Sequence, residues 1–186
     1  MTTTRDIAAE ARGLPREPTA PWILVLMAVL TAAWLGILAW QVAVLPDRVP
    51  THFGARGEAD GWSSKAGALA FSVLLPVLVV FPMPLLSQLA VRWPASINAP
   101  NRDWWAATAP RLRRFERLVR EDLWLFAALT FALFLAIDVG IVVAADSTDG
   151  NLSQALLWGS LALFLLGIGA VMARMFGSRY AEQEID

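Results

Sequence analysis

Three residues in one short polar segment, His52, Glu58 and Asp60, are the first in this chain whose types could do chemistry. A histidine beside a carboxylate can move protons as acid and base. A histidine with two carboxylates can hold a metal, and a histidine alone can sense external pH. Their spacing matches no diagnostic metal pattern and favours the plainer role of hydrogen-bonding a loop to itself. No catalytic residue, metal site or cofactor is therefore expected. The fourth candidate is Asp138, the one ionisable residue in an apolar stretch of 23 residues from Leu123 to Ala145. A carboxyl there is expensive, so it marks a proton or cation relay or a substrate contact, or else it hydrogen-bonds a neighbouring helix or reaches the outer water layer. The apolar stretches hold no Lys, Arg or His to partner it, which favours the latter two. The chain has no cysteine, which excludes a disulfide framework, thiolate catalysis and a cysteine-built zinc site.

The elements that must position these residues are membrane helices. Of 186 residues, 57% are hydrophobic and 17% charged, against about a quarter charged in a soluble domain; the mean hydropathy is +0.54. Trp22–Leu45, Ala66–Val91 and Leu152–Ala173 contain no Asp, Glu, Lys or Arg, and Leu123–Ala145 contains only Asp138. About 20 apolar residues cross the hydrocarbon core as a helix, and a helix satisfies its backbone polar groups within one segment. The pattern predicts an all-α membrane protein, a four-transmembrane-helix bundle over residues 21–174 with helices at about 22–45, 66–91, 123–145 and 152–173. The first span exceeds the apolar core of a signal peptide and reads as a retained helix.

Twelve basic residues fall in the two tails and between the second and third spans, against Arg48, Arg56 and Lys65 on the other side. That bias puts both termini in the cytoplasm and the His52 loop outside. A net charge of -1 gives no sign of nucleic-acid binding, which needs a basic stripe outside the membrane, and no nucleic-acid partner is expected. Residues 1–20, polar and containing Pro15 and Pro18, are expected to be a disordered cytoplasmic tail. Residues 175–186 are expected to form a second tail.

Pro76, Pro82 and Pro84 should kink or break the second helix. Leu112, Phe115, Leu118, Val119 and Leu123 recur at helical spacing among arginines, which predicts a cytoplasmic amphipathic helix lying apolar side down on the inner leaflet. Trp93, Trp104, Trp105 and Trp124 read as interfacial anchors. Gly169 and Ala173 form a small-xxx-small pair suited to helix packing. The external loop is dense in special residues: Pro50 favours extension at Val49, Gly54, Gly57 and Asp60-Gly61 are turn chemistry, and Ser63 or Ser64 can cap the next helix. An ordered external loop over the helix ends is expected.

The run Leu45-Pro46-Asp47-Arg48-Val49-Pro50-Thr51-His52-Phe53-Gly54, followed by Gly57, Asp60 and Lys65, resembles the signature of the bacterial membrane domain of unknown function numbered 1648. Asn98, Pro100, Asn101 and Trp105 resemble a second segment of those proteins, with Trp104 where tyrosine is usual. The best-known relatives are SdpI-type immunity proteins, which protect a bacterium from its own secreted toxin and hold a repressor at the membrane. The resemblance implies a non-enzymatic accessory, signalling or immunity protein of the bacterial plasma membrane that senses or shields through its external loop. The partners it implies are the lipid bilayer, a cytoplasmic regulator or another membrane subunit, and an external peptide toxin. The alternative reading is a transporter, or transporter accessory subunit, using the proline-kinked second helix and Asp138.

Overall fold

The computed structural model describes residues 3–185. Its elements are α1 (Thr4–Gly13), α2 (Pro21–Val44), β1 (Arg48–Phe53), β2 (Ala59–Ser64), α3 (Lys65–Leu75), α4 (Gln88–Arg92), α5 (Arg102–Trp105), α6 (Ala109–Asp146) and α7 (Gln154–Phe176). Among the described residues four helical paths are long and apolar enough to cross a membrane: Pro21–Val44, Lys65–Arg92, Ala109–Asp146 and Gln154–Phe176. The chain is an all-α membrane bundle with one small two-stranded sheet.

The second path shows what its prolines do. α3 is regular to Leu75, Pro76–Val80 winds as a π-helix, Met83–Ser87 as a 3-10 helix, and α4 resumes regular geometry. Each proline lacks a backbone donor, and the chain answers by changing pitch: Phe81 N–H reaches back to the Pro76 carbonyl at 3.2 Å. The path is rewound rather than broken. The third path differs from expectation in length, because the amphipathic helix and the third span are one continuous α6. No glycine or proline lies between Arg111 and Val139 to stop it.

The chain divides into two compact units. The first comprises Val25–Phe81 and Ala127–Ile168. Its helices are joined by an aromatic trio of Trp34, Phe81 and Phe131, with centroids 5.6–6.0 Å apart and Phe131 edge-to-face with the other two. Aromatic pairs of this kind contribute about 0.5–1.5 kcal/mol beyond burial. Trp34 Nε1–H donates to the Ser72 carbonyl at 2.9 Å. A second cluster gathers Leu45, Val49, Ala68, Ile141 and Val142 where β1 meets α3 and α6. Gly167 lies against Leu129, whereas nothing lies within 4 Å of a Cβ placed at Gly169. The small pair at Gly169 and Ala173 therefore does not mark a close helix crossing through Gly169.

The second unit comprises the described parts of Met1–Leu24, Pro82–Phe126 and Gly169–Asp186. Here the expected disorder of residues 1–20 is overturned for residues 3–20; Met1 and Thr2 lie outside the described residues. Thr3 and Asp6 form a capping box that starts α1. Ala8 and Ala11 then bury against a core of Val91, Trp105, Leu112, Phe115, Leu118 and Tyr180. The following strap is held by carboxylates and arginines about 100 residues away. Glu116, fully buried, accepts from Arg16 (2.6 Å), Ser87 Oγ (2.8 Å) and both oxygens from Arg120 (2.8 Å). Glu17 pairs with Arg114 at 2.6 Å and Arg117 at 3.2 Å, and Glu121 accepts from the Ala20 N–H at 3.1 Å.

The same unit corrects two further expectations. The apolar side of the basic helix, Leu112, Phe115 and Leu118, is covered by protein rather than laid on lipid. Of its arginines, Arg113 and Arg120 pair with Glu116 of the same helix, while Arg114 and Arg117 pair with Glu17. Trp105, expected as an interfacial anchor, is fully buried, and Trp93 is exposed. The C-terminal segment is also anchored: Tyr180 is buried, and Arg179 pairs with Glu121 at 2.7 Å. Asp186 of that expected tail lies outside the described residues.

Candidate functional site

Each residue of the external loop motif has a definable task. Leu45 and Val49 bury in the cluster beneath the hairpin, Phe53 packs against it, and Pro50 is fully buried. β1 and β2 pair antiparallel, with register shifts on either side of His52 that break the regular alternation. Such irregularities re-aim a side chain, and His52 stands opposite Gly61, where an added Cβ would lie 2.7 Å from the His52 Cβ. Gly57 adopts φ +88° at the hairpin turn, a conformation that favours glycine. It packs on the Leu152 backbone, whose N–H donates to the Gly57 carbonyl at 2.8 Å.

Lys65 N–H donates to the Asp47 carbonyl at 3.1 Å, and Ser64 caps α3 by accepting from the Gly67 N–H at 3.1 Å. Three further bonds tie the hairpin end to the 151–158 stretch. Asn151 Oδ1 accepts from the Ala59 N–H, Gln154 Nε2 donates to the Arg56 carbonyl, and Trp158 Nε1–H donates to the Ala55 carbonyl. Pro46 lies beside a shallow hollow with Trp40 and Val44.

The loop's titratable groups separate into two pairs. His52 Nδ1 meets Asp60 Oδ1 directly. Glu58 turns the other way, accepting from the Arg56 N–H at 3.0 Å. Among the described residues no three His, Cys, Asp or Glu side chains converge as a metal site. The His52–Asp60 pair stands in the open, with side chains 76% and 50% exposed.

A second site lies in the same unit. Asp138 is 4% exposed and accepts from Ser72 Oγ at 2.6 Å through Oδ1. Gln41 Nε2 donates to the Asp138 carbonyl at 3.3 Å. Asp138 Oδ2 and Gln41 Oε1 are buried without hydrogen-bond partners. Asp138 and Ser72 line a cleft of about 230 Å³ together with Thr51, Pro76 and the side chains of Phe71, Leu75, Phe134, Ile137 and Ile141. The rewound helix and the intramembrane carboxyl, separate features in the sequence, thus share one cleft.

Asn98, Pro100, Asn101 and Trp105 belong to the other unit. Asn101 sits at φ 55°, and its Nδ2 donates to the Tyr180 carbonyl at 3.0 Å, which Trp105 Nε1–H also reaches at 3.1 Å. Asn98 and Pro100 line an apolar groove with Leu86, Phe115 and Tyr180. Sequence reasoning missed Tyr180, Glu116, Glu121 and Asp122, whose partners are remote along the chain. Tyr180 O–H donates to Asp122 at 2.7 Å, and burial, then the Asp122 charge, pushes the phenol above its ordinary range.

The family model of a domain of unknown function, DUF1648, matches residues 22–78. That stretch is similar to the DUF1648 family. It contains α2, the hairpin and α3, so every residue of the external loop motif lies inside the matched segment. The Asn98–Trp105 segment and Asp138 lie outside it. No curated protein and no solved structure matches the chain.

Proposed function

We propose that this protein is a non-enzymatic integral membrane protein of the accessory, signalling or immunity kind, in which the DUF1648 hairpin engages an external partner such as a peptide toxin. In this reading it spans the bacterial plasma membrane with both termini cytoplasmic, and the arginine-rich 111–120 segment faces a cytoplasmic regulator. The observation that carries the reading is the contrast within the hairpin. Leu45, Pro50, Phe53, Gly57 and Lys65 hold it in place, while His52 and Asp60 meet in full view of solvent. Even a fully charged pair contributes only about 0–1 kcal/mol to folding when exposed, so fold stability does not account for building an irregular strand around this one. An acid–base pair at a chemical step works best where water is excluded, which favours recognition over catalysis.

The test compares proteins cross-linked to wild type and to His52→Ala in the parent membrane, at equal insertion. A species recovered with wild type and lost with the variant supports the reading; identical partners with both overturn it. A transporter or transporter accessory role is the second reading, favoured by one observation: Pro76 and Asp138 line the same cleft. Transporters place their sites at discontinuous membrane helices, and the rewound stretch is a milder disturbance of that kind.

A further inference from the structure

We propose that Arg5, Arg12 and Arg92 form a binding site for the phosphate group of an anionic phospholipid, at the level where the second membrane-spanning path ends. The proposal concerns only the unit that contains α1, and it holds whichever side of the membrane that unit occupies.

The other arginines of this unit have partners. Arg16, Arg113 and Arg120 meet Glu116, Arg114 and Arg117 meet Glu17, and Arg174 and Arg179 meet Asp122. Arg102 lies 3.9 Å from Asp103, and Arg111 stacks 4.1 Å from the Trp104 ring centroid. Among the described residues of the unit, Arg5, Arg12 and Arg92 are the arginines with neither a carboxylate nor a ring as partner. All three line one hollow of about 620 Å³, and no acid lines it with them.

Helical spacing in α1 keeps acids and arginines apart. Thr4, Ala8 and Arg12 recur every four residues along one side with Arg5 beside them, while Asp6 and Glu10 fall two residues out of that row. Asp6 is already occupied by the Thr3 N–H and hydroxyl. Arg12 Nη1 donates to the Val91 carbonyl at 3.1 Å, which fixes the guanidinium beside the end of α4 and leaves its other edge for a ligand. Like charges gathered without a counter-charge repel one another. An anion in the hollow removes that repulsion, and a phosphate is a group that an arginine fork grips through two oxygens.

Position selects a lipid as the carrier of that phosphate. The membrane-spanning path Lys65–Arg92 ends at one of the three arginines, and Leu85, Leu86 and Leu89 in the turns before it are exposed. Trp93, the next residue and part of the wall of the hollow, is 62% exposed. An exposed indole at the end of a span sits in the headgroup layer, so the hollow opens at the depth of lipid phosphates. A soluble anion must be drawn from bulk water, whereas a lipid phosphate is already concentrated at this depth.

Binding of tritiated phosphatidylglycerol to the full chain, in detergent micelles carrying excess phosphatidylcholine, tests the proposal. Wild type should bind one equivalent saturably, and unlabelled phosphatidylglycerol should compete. Glycerophosphoglycerol, the same headgroup without acyl chains, and inorganic phosphate should compete at least tenfold more weakly. Combining Arg5→Gln with Arg92→Gln should weaken binding about tenfold or more, through loss of two charge-assisted bonds. Both positions are exposed, so the fold should tolerate the change, and Arg5→Gln alone should already weaken binding severalfold. Arg102→Gln with Arg111→Gln removes the same charge outside the hollow and should leave binding unchanged. Non-saturable binding to wild type, equal loss in the two double variants, unchanged binding in Arg5→Gln, or equal competition by the soluble anions would each overturn the proposal. None of these readouts involves the partners cross-linked through His52, so the two proposals fail separately.

Discussion

Tyr180 illustrates how much a single side chain can report. It is the chain's one tyrosine, its ring packs 5.3 Å from that of Phe115, and its hydroxyl donates to Asp122. Burial first, and then the neighbouring carboxylate, make the phenolate unfavourable, so the folded-state pKa rises above the free value of about 10. The sign follows: the bond stabilises the fold fully below the unfolded pKa, and that contribution is lost as pH climbs from there toward the folded value. Phenolate absorbance should therefore stay flat in the folded protein through the pH at which free tyrosine is half ionised, and appear only on unfolding. A native titration near 10 would place Tyr180 in solvent. In the sequence this residue carried no signal, because its partners Asn101, Trp105 and Asp122 lie 58 to 79 positions away. Asp138 was legible on its own, since one charge in 23 apolar residues stands out without any partner.

Among the elements, the hairpin was the more legible and the N-terminal strap the less. Pro50, the glycines and the serine cap act locally, so extension, turn and helix start could be read from neighbours along the chain. α1 and the strap depend on Glu116 and Arg120, and proline with mixed charge looks the same whether or not a remote carboxylate is waiting. The π-helical segment was half legible: proline announces a disturbed helix, but packing decides whether it breaks or rewinds. The hairpin's anchorage turns on Gly57. A side chain there must occupy φ +88° and would strike the Leu152 carbonyl oxygen. Gly57→Ala should therefore cost the left-handed penalty of about 1–2 kcal/mol, and more if the Leu152 N–H bond to the Gly57 carbonyl is lost. Limited trypsin digestion at Arg56 in detergent reads this directly: cleavage should quicken in the variant and stay slow in wild type. Equal rates would mean that the hairpin is not held through this contact.

At the scale of the whole molecule, the proposed orientation rests on twelve arginines, and the structure raises an objection to counting them. Arg16, Arg113 and Arg120 surround Glu116, Arg114 and Arg117 hold Glu17, and Arg174 and Arg179 hold Asp122. Ten acidic residues share that side of the predicted topology, so net charge distinguishes the two sides far less than the arginines do. Topology, however, is set as the chain inserts, and Lys and Arg govern it while Asp and Glu contribute little. Pairing formed afterwards in the folded protein does not cancel the bias. The absence of cysteine makes the test clean. Ala55→Cys, in the hairpin connection, should react with a membrane-impermeant maleimide in intact cells, and Glu182→Cys only after the membrane is opened. The reverse pattern would place the His52–Asp60 pair in the cytoplasm, and an external partner for that hairpin would then be impossible.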